Sequence, residues 1–204
     1  MSILSSYFET SRAYLIGIQN YDTIKGLSTP LQDIEDIHEC LINHEFDSNN
    51  ILNVPDATKK EIEAVLDRMQ DEIGFRDRVL FYFAGHGIAH DSGDEPKGFI
   101  IPKDGKRSDE TTFIDMNWLS QKFSRLRCKH FLLILDCCFA GSFRWADNYR
   151  NAVMDQTKKL YRQKFERFVS DDTIAFQVIT SSSYDEEAID RLLNLGSREM
   201  KIIN

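Results

Sequence analysis

Three features of the chain predict an α/β fold, a doubly wound, mainly parallel β-sheet flanked by helices on both faces. Apolar runs of strand length recur at Ala13–Ile18, Val79–Ala84, Phe131–Leu135 and Ile174–Ile179, the last broken only by Gln177. These runs are nearly continuous instead of alternating, the pattern of strands buried on both faces of a parallel sheet. Between them the apolar residues change to helical spacing, so strands and helices alternate along the chain.

The elements follow in order. After the first strand, Leu31, Ile34, Ile37 or His38, and Leu41 recur at helical spacing beyond Pro30. Ile51–Val54 is a weaker fifth strand candidate. Ile62, Val65, Leu66, Met69 and Ile73 mark a second helix, with a capping-box pattern at Thr58 and Glu61 and a stop at Gly74. A third helix is expected over Asp115–Phe123, ahead of the strand at Phe131, and Phe99–Pro102 suggests a small accessory strand. The resulting order is β-α-β-α-β-α-β-α-β.

The 204 residues, 42% of them hydrophobic, suffice for one core, and no composition shift marks a second domain, so residues 1–204 are read as a single domain. The net charge of −8 argues against a surface that neutralises phosphates or anionic lipid, which excludes nucleic acid as an expected partner. The start carries neither a basic leader nor a secretory apolar stretch, and no run reaches membrane-spanning length. A cytoplasmic protein without membrane attachment is expected. The four cysteines Cys40, Cys128, Cys137 and Cys138 include an adjacent pair, poor geometry for a disulfide framework, and read as free thiols in a reducing compartment.

Ligands of an open parallel sheet bind beyond the carboxyl ends of its strands. His86 follows the second long run, Cys137 and Cys138 the third, Asp33 the first and Glu187 the last, so four connections point at one crevice. The glycines of Ala84-Gly85-His86-Gly87 let the backbone turn sharply and approach a ligand closely on either side of an imidazole. A solvent-facing turn histidine is the plainer alternative. Asp136-Cys137-Cys138-Phe139-Ala140-Gly141 places thiols just past a buried strand, where backbone N–H groups and an imidazolium could stabilise a thiolate. Buried structural cysteine is the expected role of Cys40, Cys128 and one of the pair. His86 and His90 have the spacing of helical zinc ligands, but the glycines disfavour a helix and the metalloprotease glutamate is missing. A dinucleotide-binding turn would need a third glycine that is absent. No metal or organic cofactor is expected.

A strand, then His-Gly, then a later strand ending in Asp-x-Cys resembles the caspase-like cysteine peptidases, with details similar to metacaspases and paracaspases. Arg12–Asn20 resembles the family's first strand, Pro30–Ile34 the start of its first helix, Tyr82–Gly87 its histidine motif and Leu135–Gly141 its cysteine motif. Counted back from Gly141, the metacaspase-type spacing Asp-x-Cys-x-x-Gly selects Cys138 as nucleophile and leaves Cys137 a packing role. The resemblance implies a dyad in which Cys138 attacks the scissile carbonyl and His86 protonates the departing amine. The N–H groups of Gly87 and Cys138 would hold the oxyanion, each worth roughly 3 kcal/mol of barrier.

The same resemblance implies an acidic pocket for a basic residue before the cut, formed by Asp33, Asp136 and Glu187, with Glu186 or Asp185 as alternatives to the last. Carboxylates crowded together repel one another until a cation arrives, and Arg can meet them through paired hydrogen bonds, so cleavage after Arg, then Lys, is expected. A helix-capping role is the alternative for Asp33. Residues 142–172, rich in Arg and Lys, read as a basic helical linker between large- and small-subunit-like parts and as a site for self-cleavage. The family pattern would continue beyond Ser183 through another strand and helix, so the carboxyl part reads as truncated, with a regulatory protein or sensor domain as an expected partner beside the peptide substrate. The competing readings are a catalytically silent interaction module and a small-molecule hydrolase using the same dyad.

Overall fold

The structure, a computed structural model, describes residues 8–90, 97–138 and 175–181. In chain order the elements are β1 (Ser11–Gly17), α1 (Pro30–Asn43), β2 (Ile51–Pro55), α2 (Lys59–Glu72), β3 (Arg78–Ala84), β4 (Gly87–His90), β5 (Lys97–Ile100), β6 (Ile114–Asp115), α3 (Met116–Phe123), β7 (His130–Asp136) and β8 (Ala175–Thr180). Five of the strands form one parallel sheet in the order β2-β1-β3-β7-β8. This is the mainly parallel α/β architecture the apolar runs predict.

From β1 the chain first moves outward to β2, then crosses back to β3 on the other side of β1, so the topology switches between β1 and β3. Right-handed crossovers running in opposite directions put their helices on opposite faces. Accordingly α1 covers one face: its Ile34 and Leu41 pack on Ala13, Leu15, Leu80 and Tyr82. The α2 and α3 helices cover the other, where Ile62, Leu66, Met69, Leu119 and Phe123 meet Ile16, Phe81 and Leu133. Alternate residues of β1, β3 and β7 therefore serve two cores. Phe123 knits the second one, with ring centroids 4.9 Å from Phe81 and 5.0 Å from Phe131; burying such a side chain contributes about 1.5–3 kcal/mol.

Local signals start the helices. At α2 the Thr58 hydroxyl and Glu61 carboxylate complete the capping box, with the Thr58 N–H donating to Glu61 Oε2 at 2.8 Å. At α3 the Asp115 carboxylate accepts from the N–H groups of Asn117 and Trp118, satisfying donors that a helix start leaves open.

Two expectations change. Where one accessory strand was expected at Phe99–Pro102, β4, β5 and β6 form a three-stranded antiparallel sheet. Its first strand is half-buried along its whole length and so carries no apolar run. Cys40, expected to be buried, is exposed, because it falls beside the Ile34–Leu41 stripe that faces the sheet. The basic segment 142–172, the Phe139–Gly141 end of the cysteine motif and Glu187 lie outside the described residues. Among the described residues no helix is long and apolar enough to cross a membrane.

Candidate active site

β3 and β7 are paired in register, with Ala84 opposite Asp136. Parallel neighbours run the same way, so the segments that follow them leave the sheet side by side. His86 stands two residues beyond Ala84 and Cys138 two beyond Asp136. The Gly85 N–H donates to the Asp136 carbonyl at 3.2 Å, carrying the pairing one step past the strands. Gly87 then passes so close to the second segment that a Cβ there would overlap the Cys138 carbonyl oxygen and stand 3.1 Å from Cys137 Sγ. A Cβ on Gly85 would lie 2.8 Å from the Tyr21 hydroxyl. Neither glycine lies in the left-handed backbone region. The glycines around His86 thus permit close contact with neighbouring protein groups, and the backbone bends at Gly85.

Strand alternation separates the adjacent thiols. Leu133 and Leu135 point into the core under α2 and α3, and Cys137 continues that series, 1% exposed. Its burial pushes the thiol well above the ordinary range, which suits packing and disfavours the thiolate. Cys138 is half-buried and borders a cavity of about 590 Å³.

That cavity brings together Asp33, His86, Gly87, Asp136 and Cys138. Asp33 lies inside the first turn of α1, its N–H donating to the Thr29 carbonyl at 3.0 Å. Thr29 holds the N-cap position, so Asp33 is not the cap. Asp136 continues the Leu132–Ile134 series of β7 toward the α1 face. There the Tyr82 phenol is raised above its usual range by burial first, then by the charges of Asp136 and Asp33, and it hydrogen-bonds to Asp136. Both carboxylates thus lie on the α1 side of the sheet and border the cavity.

His86 is held from three sides. Its backbone N–H donates to the Tyr21 hydroxyl at 2.7 Å, and the Tyr21 ring lies 4.8 Å from the imidazole. Nε2 is 2.8 Å from the Lys25 carbonyl oxygen. A carbonyl only accepts, so Nε2 carries the proton and Nδ1 remains for proton exchange. Burial raises the Tyr21 phenol out of its usual range, so its hydroxyl stays neutral, and it accepts the bond from His86.

The segment carrying Tyr21 and Lys25 is tied down by Asp56, whose carboxylate accepts from the N–H groups of Gln19 and Asn20 and from Asn20 Nδ2, each at 2.8 Å. Burial opposes its ionised form, but the bonds from Asn20 and Gln19 outweigh it and hold the group below the usual carboxylate value. A depressed folded-state value gives stability that is present above the unfolded value and lost as pH falls through the folded one. Below about pH 4, the Gln19 and Asn20 amides are therefore expected to lose hydrogen-exchange protection before the β1 core does. Asp56→Ala should show the same loss at neutral pH; unchanged protection in both would show that this carboxylate does not hold the loop.

Sequence reading missed Tyr21, Asp56, Tyr82 and the Lys25 carbonyl. Tyr82 was open to discovery, since it shares strand parity with the residue that pairs opposite Asp136. A backbone carbonyl carries no side-chain signature and could not be found that way.

A parallel sheet whose carboxyl edge gathers a thiol, an imidazole and two carboxylates in one cavity is suited to nucleophilic and acid–base chemistry. The family model described as Caspase domain matches residues 10–196, and the chain belongs to this family of cysteine peptidases. Among solved structures, the fold is similar to the crystal structure of protein GSU0716 from Geobacter sulfurreducens, with a TM-score of 0.60 and 15% identity over 89% of this chain and 76% of that one. A comparison with curated proteins returns no match.

Proposed function

We propose that this protein is a cysteine endopeptidase that cuts protein or peptide chains after Arg and, less efficiently, after Lys. Cys138 supplies the nucleophile. Its thiol proton passes to Nδ1 of His86, the sulfur bonds to the scissile carbonyl carbon as the C=O π bond opens, and the tetrahedral oxyanion is held by the N–H groups of Gly87 and Cys138. As the C–N bond breaks, the departing nitrogen takes a proton from the His86 imidazolium through Nδ1, while Nε2–H stays on the Lys25 carbonyl and fixes the ring. Water then adds to the thioester with His86 as base, releasing the acid and restoring the thiol.

The observation that carries this reading is that Asp33 and Asp136 border the same cavity as Cys138 and His86. Two carboxylates bordering one cavity favour a planar guanidinium that offers several donors at once. Glu187 is assigned as the third acidic contact.

The test is a panel of peptides with Arg, Lys or Asp before the cut. Wild type should prefer Arg, then Lys. Asp33→Asn and Asp136→Asn should each lower kcat/KM for the Arg peptide by about 10–100-fold, the value of one charge-assisted contact. Equal cleavage after Asp would remove the acidic-pocket reading, and no cleavage of any peptide would favour an interaction module.

A further inference from the structure

The cavity has two unlike ends. Strand parity sets Asp136 and Tyr82 over the α1 face of the sheet, with Asp33 of α1 beside them. At the other end Tyr21, Ile24 and Ile88 pack with Phe99, Ile101 and Phe113 on the small antiparallel sheet. His86 joins this second end directly: its carbonyl accepts from the Ile101 N–H at 2.9 Å, and its ring rests against Tyr21. Arg107 borders the same cavity and is exposed. The carboxylates that follow it in sequence have partners other than Arg107, Glu110 on His90, which also borders the cavity. Asp109 accepts from the Thr111 N–H and hydroxyl, and Glu110 lies 3.1 Å from His90 Nδ1.

We infer that this apolar, cationic end is the leaving-group side of the cleft, taking an apolar residue directly after the cut and an acidic side chain, two or three residues after it, on Arg107. The inference rests on the peptidase reading above. An imidazole that protonates the departing amine must stand on that amine's side of the scissile bond. With the basic residue before the cut held at the acidic end, the chain after the cut has to leave past His86, over Ile88 and Ile101. An extended peptide advances about 3.3 Å per residue, so a carboxylate reaches the cavity rim within a few residues, where Arg107 offers a forked donor. The acidic end repels the same carboxylate, so the two ends together fix the direction in which substrate lies.

The experiment uses peptides that share Arg before the cut, vary Leu against Lys in the first position after it, and vary Glu against Lys in the next two. Wild type should favour Leu by roughly tenfold in kcat/KM and Glu by roughly fivefold. Arg107→Glu should reverse the order of Glu and Lys. Equal rates across the series, with wild type still hydrolysing a small fluorogenic amide of Arg, would overturn this inference and leave the peptidase reading standing. No hydrolysis of any substrate would overturn both.

Discussion

Replacing Cys138 with Ala is expected to lower peptide cleavage by more than about 10³-fold, and replacing Cys137 with Ala by less than about tenfold. The two thiols are neighbours in sequence but occupy different media. Cys138 borders the cavity with His86, whereas Cys137 sits at 1% exposure in the core that holds Leu133 and Leu135. The Cys137 change should cost about 1 kcal/mol of stability, as loss of a small buried group. Alkylation by iodoacetamide followed by peptide mapping gives a readout independent of turnover. In the folded protein Cys138 and the exposed Cys40 should react, while Cys137 and the buried Cys128, whose thiol burial pushes up to about 12, should react only after unfolding. Activity that survives Cys138→Ala and disappears in Cys137→Ala would exchange their roles.

Gly87→Ala should be nearly as damaging, with a fall in kcat of about 10²–10³-fold, the cost of losing one oxyanion donor. The added methyl meets the Cys138 carbonyl oxygen and the Cys137 side chain, so the two segments must part. Asp33 and Asp136 approach from the α1 face and are untouched, so KM for an Arg peptide should change by no more than a few-fold. Overpacking at one point should lower the urea midpoint by the equivalent of about 1–3 kcal/mol, leaving a folded protein to assay. A Gly87→Ala enzyme with wild-type kcat would mean that the close passage of these segments has no part in turnover.

The difference between what was legible and what was not follows from range. The strands β1, β3 and β7 were legible because burial on both faces leaves an unbroken apolar run. Helix α2 was legible because a capping box is a contact between residues three apart. Strands β4 and β6 were not: each is short and, among the described residues, paired through β5 alone, so their existence depends on partners outside their own segments. The same limit hid Tyr21 and Asp56, whose importance lies in bonds to residues 65 and 36 positions away.

For the candidate site, strand endings and residue types were enough to nominate His86, the Cys137–Cys138 pair, Asp33 and Glu187 as occupants of one sheet edge, while Asp136 and the choice of Cys138 came from the resemblance to caspase-like peptidases. Periodicity carries that much, because a parallel sheet collects its strand ends on one side. The in-register pairing of β3 with β7, the burial of one thiol beside an accessible one, and the carbonyl that orients the imidazole depended on the folded chain. Their physical cause is long-range: strand parity and close backbone approach emerge only when distant segments pack against each other, and no local pattern of residues encodes the distances between them.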